Sequence, residues 1–296
     1  METVPLLAPE RVLRRIEWQV LRRLEGVLQG EFRTLLRGSG TDFLDLRGYE
    51  WGDDVRHIDW NVTARMNELF VRDFMEDREL TAWLLLDRSP SMAFGVAERT
   101  KERVLCELAA AFGQLLTRGG NRVGAVIYDG EKEWTIPPRQ GRYQVLTLIR
   151  ELLRPVAGGT GTDLAVLLNA ASRLIRRRSL VVVISDFISE PGWERPLMRL
   201  TERHDVVAVR IVDPREYELP EAGLLYVQDA ESGEQLLVDS SDPELRRRLH
   251  EAAEQQDESI RHAVARARVR LHVVSTKDDL LQALLRMAES GRAPRR

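Results

Sequence analysis

Cysteine is nearly absent: among 296 residues Cys106 stands alone, which rules out an internal disulfide and any multi-cysteine zinc site. It lies in the apolar-rich run 104–112, a setting that reads as a buried helix position rather than a reactive thiol. Long apolar runs are missing too. No stretch reaches the roughly 18 apolar residues of a membrane span, and residues 1–30 are too arginine-rich for the apolar region of a signal peptide. The cytoplasm follows as the default compartment. There is no basic excess, since 44 Lys+Arg face 47 Asp+Glu for a net charge of −3. That balance argues against a general nucleic-acid binder. Several catalytic signatures are also lacking: no Gly-x-x-x-x-Gly-Lys-[Ser/Thr] phosphate loop, no Gly-x-Gly-x-x-Gly after a strand, no His-Glu-x-x-His and no Gly-x-Ser-x-Gly elbow. No internal repeat or low-complexity linker divides the chain.

What is present is organised around residues 82–92, AWLLLDRSPSM. Five apolar residues end abruptly in Asp87, Arg88, Ser89, Pro90 and Ser91, the pattern of a strand buried on both faces that runs into a loop. In open α/β sheets ligands bind at that carboxyl edge. One carboxylate and two hydroxyls at alternate positions are hard oxygen donors, suited to Mg²⁺, Mn²⁺ or Ca²⁺ rather than zinc. The simpler reading is that Asp and Ser crowd into turns for local hydrogen bonds.

Around that strand, helices and strands alternate. Strands are predicted at 122–128, 131–136, 180–185, 206–211 and 269–274, and helices near 97–117, 143–153, 164–177, 193–204, 243–267 and 277–289. Residues 224–228 and 235–238 read as an inserted β-hairpin. The fold class is therefore α/β, a doubly wound, mostly parallel sheet covered on both faces. Arg176, Arg177 and Arg178 suit the end of the helix at 164–177, where cations favour the dipole, with a basic recognition patch as the alternative.

Four parts make up the chain. Residues 1–29 hold an amphipathic helix with Leu13, Ile16, Val20, Leu24, Val27 and Leu28 on one stripe, expected to pack on its own domain rather than on a membrane or a partner. Residues 30–79 are irregular, with a strand candidate at 69–74 and closely alternating acids and bases between Trp51 and Trp60. Here Asp53, Asp54 and Asp59 are expected to pair with Arg47, Arg56 or Arg65, the tryptophans to be buried, and His57 to be structural rather than an acid–base catalyst. Residues 80–290 form the regular α/β domain, and 291–296 a disordered tail.

Three loops converge on one sheet edge. They carry Asp87, Ser89 and Ser91, then the run 158–163 (GGTGTD) with Thr160 and Thr162, then Asp186 at the end of the strand 180–185. Two carboxylates and three hydroxyls make an open octahedral cation site that needs water or an outside oxygen to complete it.

Asp87-x-Ser89-x-Ser91, Thr160 after two glycines, and Asp186 after the next buried strand resemble the metal-ion-dependent adhesion site of von Willebrand factor A domains. The resemblance covers about residues 80–290 and implies that Thr160, rather than Thr162, faces the metal. Gly38-x-Gly40, Arg47-Gly48-Tyr49, Gly52-Asp53-Asp54-x-Arg56-x-Ile58-Asp59-Trp60 and Ala64-Arg65 resemble the signature of the bacterial "domain of unknown function 58" family, which precedes such an A-type domain. That family is commonly encoded beside MoxR-type AAA ATPases. The resemblance therefore implies an adaptor or chaperone-like partner of such an ATPase, and with the open cation site it points to a non-enzymatic, Mg²⁺-dependent protein-binding module, with a MoxR-type ATPase or its client supplying a carboxylate. A metal-assisted hydrolase using the same residues is the alternative.

Overall fold

The apolar run at 82–86 becomes the middle of a six-stranded sheet. The protein is described from a computed structural model, which covers residues 8–17, 46–49, 55, 58–66, 68–72, 80–96, 99–156, 161–218, 221–228 and 235–290. The central strand is β3 (Thr81–Asp87). The sheet order is β12 (Arg270–Ser275), β9 (Asp205–Val212), β8 (Leu180–Ser185), β3, β6 (Arg122–Tyr128), β7 (Glu133–Arg139). Every neighbouring pair is parallel except β6 with β7.

Side chains of β3 alternate between two cores, as a strand's period of two requires. Ala82, Leu84 and Leu86 enter the layer under α3 (Lys101–Arg118), α4 (Arg142–Leu152) and α8 (Leu280–Ser290). Trp83 and Leu85 enter the opposite layer, under α5 (Leu164–Leu174), α6 (Glu194–Arg203) and α7 (Pro243–Arg266). Each of these fully buried leucines contributes about 2 kcal/mol of hydrophobic stabilisation. From β3 the chain winds to β6 and β7 on one side, then returns to β8, β9 and β12 on the other. That reversal falls between β3 and β8, and in open α/β sheets ligands bind beyond the carboxyl ends of the strands at such a point.

The amphipathic N-terminal helix is described as α1 (Pro9–Ile16), with Val12, Leu13 and Ile16 buried against α3 and α4. It packs on its own domain. Residues 18–45 lie outside the described set. Beyond them, β1 (Leu46–Gly48) pairs antiparallel with β2 (Phe70–Arg72), within the strand expected at 69–74, of which residues 73 and 74 lie outside the described set, and α2 (Trp60–Met66) lies between β1 and β2 in sequence.

Trp60 corrects an expectation: it is 66% exposed, because Ile58 and Asp59 take the inward positions where α2 begins. Asp59 acts there as a cap, accepting from the Val62 N–H at 3.2 Å. Trp51, Asp53, Asp54, Arg56 and His57, and with them the expected pairing of Asp53 and Asp54, lie outside the described residues.

Several element boundaries also differ. The helix predicted at 97–117 starts only at Lys101, because β4 (Gly95–Val96) and β5 (Arg99–Thr100) form a tight antiparallel hairpin before it. Gly95 is obligatory in that hairpin: its φ is +138°, and a Cβ would lie 2.7 Å from the Thr100 Cα. The helix predicted at 164–177 stops at Leu174, so Arg176, Arg177 and Arg178 lie past its end, and Arg178 pairs with Asp205 at 3.1 Å instead. The edge strand predicted at 131–136 runs Glu133–Arg139, with Pro137 and Pro138 tolerated because β7 is an edge.

The expected hairpin is present as β10 (Leu224–Gln228) with β11 (Gln235–Asp239). The tail at 291–296 is outside the described residues. Among those described, no helix is long and apolar enough to cross a membrane.

Candidate functional site

Asp87 ends β3 and is wholly buried. One carboxylate oxygen accepts from the Ser89 N–H at 2.9 Å, a local turn bond that the simpler reading anticipates. The other accepts from the Ser185 hydroxyl at 2.6 Å, a bond from the end of the neighbouring strand that no local turn explains. The Ser89 and Ser91 hydroxyl oxygens, both buried, stand 3.2 Å apart. That separation is close to the ~3 Å edge of an octahedral shell with metal–oxygen distances near 2.1 Å. Pro90 opens a short 3-10 turn, Pro90–Ala93, that brings Ser91 back toward Ser89.

Asp186 follows β8 on the adjacent loop and is equally buried. One of its oxygens accepts from the Ile188 N–H at 3.0 Å. The other meets the Lys101 ammonium at 2.6 Å. Phe187 holds this loop in a left-handed conformation, φ 60°, which a bulky residue tolerates only when its surroundings enforce it. Its N–H donates to Ser185 Oγ at 2.8 Å, and its ring meets Trp193 edge-on at 5.4 Å.

The middle loop is stitched to the same edge. Ser189 Oγ accepts from the Leu164 N–H and donates to the Thr162 carbonyl, which also accepts from the Glu190 N–H. Asp163 caps the helix that follows, accepting from the Ala165 N–H at 2.9 Å. Thr162 is buried here; Thr160 lies outside the described residues. The structure thus brings together Asp87, Ser89, Ser91 and Asp186 from the predicted set.

Sequence reasoning passed over Lys101, Glu216 and Ser185. Lys101 is the first residue of α3, fully buried, and its ammonium bonds both Asp186 and Glu216. A cation at a helix N-terminus opposes the dipole, and that misfit was the available signal. Glu216 closes a capping box on Asp213 in the run Asp213-Pro214-Arg215-Glu216, a pattern also visible in the sequence. Burial works against the charge of Lys101, yet Asp186 and Glu216 outweigh it and hold the ammonium above its usual range.

The charges do not balance. Asp186 and Glu216 share the single ammonium of Lys101, and among the described residues no cationic side chain pairs with Asp87. Burial first, then the nearby Asp186, push the Asp87 carboxyl up to about 6, with bonds from Ser185 and Ser89 only partly offsetting them. Within the described residues no group of three or more His, Cys, Asp or Glu is arranged for a metal. A cation here would depend on two carboxylates helped by hydroxyls. The residues present fit a small hard cation: oxygen donors alone, two hydroxyls at octahedral spacing and an uncompensated buried charge.

Cys106, in contrast, is inert: buried in α3, its thiol is pushed up to about 12, chiefly by burial.

Comparison with known proteins gives one family, one relative and two solved structures. The sequence profile described as "Protein of unknown function DUF58" matches residues 45–259. The uncharacterized protein Mb1516 of Mycobacterium bovis is 38% identical over 282 residues, which is 95% of this chain and 89% of that protein. Among solved structures, the conserved hypothetical protein BatB from Bacteroides thetaiotaomicron aligns with a TM-score of 0.46 at 14% identity, covering 72% of this chain and 98% of that one. The SpRpn10 VWA domain aligns with a TM-score of 0.37 at 14% identity, covering 70% and 93%.

Proposed function

The chain belongs to the DUF58 family, and on that premise we propose that it is a non-enzymatic protein-binding module that works through one divalent cation, Mg²⁺. The observation that carries the reading is the fully buried Asp87 carboxylate, which has hydroxyl and amide donors but no cationic partner among the described residues. Leaving a buried charge uncompensated is costly. Asp87, Ser89 and Ser91 would hold the ion, with Asp186 beside them and Thr160 as the hydroxyl that the resemblance adds. When bound, the ion would supply positive charge and an open position for an outside oxygen. The site's own residues do the rest: Ser185 fixes the rotamer of Asp87, Pro90 turns Ser91 toward Ser89, and Phe187 with Trp193 fixes the Asp186 loop.

A partner's Asp or Glu is the outside oxygen that suits this site. Following the family resemblance, we take that partner to be a MoxR-type AAA ATPase or its client. The test is direct binding between the purified chain and a MoxR-type ATPase from the same host, in Mg²⁺ and in EDTA, with Asp87→Ala alongside. Binding lost in EDTA and in the variant, with no turnover of phosphoester or peptide substrates, supports the module. Metal-dependent turnover that disappears in Asp186→Ala moves the assignment to a hydrolase.

A further inference from the structure

Lys101 is the feature that the cation reading does not absorb. It is a lysine with 0% exposure, placed at the first turn of a helix, and reached only through a constrained path. Gly95 closes the hairpin β4–β5, the Thr100 hydroxyl caps α3 by accepting from the Arg103 N–H at 3.3 Å, and the Lys101 N–H donates to the Phe94 carbonyl at 3.0 Å. The ammonium then lies 5.7 Å from the Phe94 ring centroid and bonds carboxylates 85 and 115 residues further along the chain.

We propose that Lys101 is a built-in counter-ion that competes with the divalent cation for Asp186 and so sets the affinity of the site. Its ammonium occupies the Asp186 oxygen that the adjacent turn leaves available, because the other already accepts from Ile188. Glu216 gives the ammonium a second place to rest. That glutamate sits on the 3-10 turn Pro214–Glu216 at the end of β9, itself anchored where Asp213 accepts from the Thr276 hydroxyl at 2.7 Å. Lys101 therefore has one carboxylate inside the site and one beside it. With the ammonium on Asp186, the cation is held mainly by Asp87 and the hydroxyls. With the ammonium shifted toward Glu216, Asp186 becomes available as well. Lys101 touches no partner in this scheme, so it is a positioning residue. The inference rests on the cation reading above.

The test is Mn²⁺ affinity, measured by electron paramagnetic resonance on the chelator-stripped full chain. Lys101→Met should tighten Mn²⁺ binding about tenfold or more, and the gain should vanish when Asp186→Asn is already present, since the contest is over that carboxylate. Glu216→Gln, which keeps the buried Lys101–Asp186 pair, should weaken binding several-fold by confining the ammonium to Asp186. Lys101→Arg should stay near wild type. If Lys101→Met fails to fold, the Glu216→Gln result decides, and unchanged affinity there overturns the proposal. Wild type that binds Mn²⁺ while Lys101→Met binds equally or more weakly overturns the competition and leaves the cation site standing. A gain that persists in the Asp186→Asn background also overturns it, showing a general charge effect. Absence of Mn²⁺ binding in both wild type and Lys101→Met removes the cation reading and this inference together.

Discussion

The loops after β3 and β8 leave the same sheet edge side by side, one behind a buried aspartate that ends its strand and the other beginning with one. Each aspartate spends one oxygen on an amide two residues on, Ser89 for Asp87 and Ile188 for Asp186. They part at the second oxygen. Asp186 meets an ammonium, whereas Asp87 meets only the Ser185 hydroxyl. Burial and turn chemistry are thus shared, and charge compensation is what differs. The contrast teaches that the edge is electrostatically finished on one side and open on the other.

Substituting the two aspartates identically breaks the comparison most sharply. Asp186→Asn takes one carboxylate from a buried lysine, and loss of one partner of a buried pair costs about 3 kcal/mol or more. Chemical denaturation in EDTA should show that loss. An equal loss in Asp87→Asn would mean that the two loops are electrostatically equivalent.

Acidification gives the next effect, from a histidine on the outermost strand. His272 on β12 is buried, its Nε2 has no hydrogen-bond partner, and burial followed by nearby Arg270 lowers its pKa to about 4. Because this lies below the ordinary value of 6.5, its contribution to stability is present above about 6.5 and lost as pH falls toward 4. His272→Leu should recover about 2 kcal/mol of that acid loss, read as a flatter profile of denaturation midpoint against pH. It would also clear the background against which the aspartates are compared. An unchanged profile would place the acid sensitivity elsewhere.

The smallest expected effect has the opposite sign to the first. Asp87→Asn removes an uncompensated buried charge while keeping an acceptor for Ser89, so the chelator-treated fold at pH 7.5 should gain about 1 kcal/mol. A thermal midpoint below wild type in EDTA would contradict that.

Much of this edge was legible in the sequence because its signals are local. An apolar run broken by Asp87, a second broken by Asp186, and alternating helices between them suffice for a doubly wound, mostly parallel sheet. The parts that escaped depend on distance or on very short elements. Lys101 finds Asp186 and Glu216 across 85 and 115 residues, which no window of periodicity can see. The hairpin ahead of α3 has strands of two residues each, so the pattern read as helix from 97 onward. Past Leu174 the chain turns extended at Ile175, although its buried side chain keeps the helical spacing of Leu168 and Ala171, so the pattern read as helix into the arginines that follow. Trp60 was read as core from its size alone, although α2 turns it outward.

The most direct test of the cation site is calorimetric titration of Mg²⁺ and Mn²⁺ into chelator-stripped protein, with Asp87→Ala in parallel. One ion should bind per chain to the wild type, and binding should be lost in the variant. Equal binding by both proteins, or none by the wild type, would contradict the assignment.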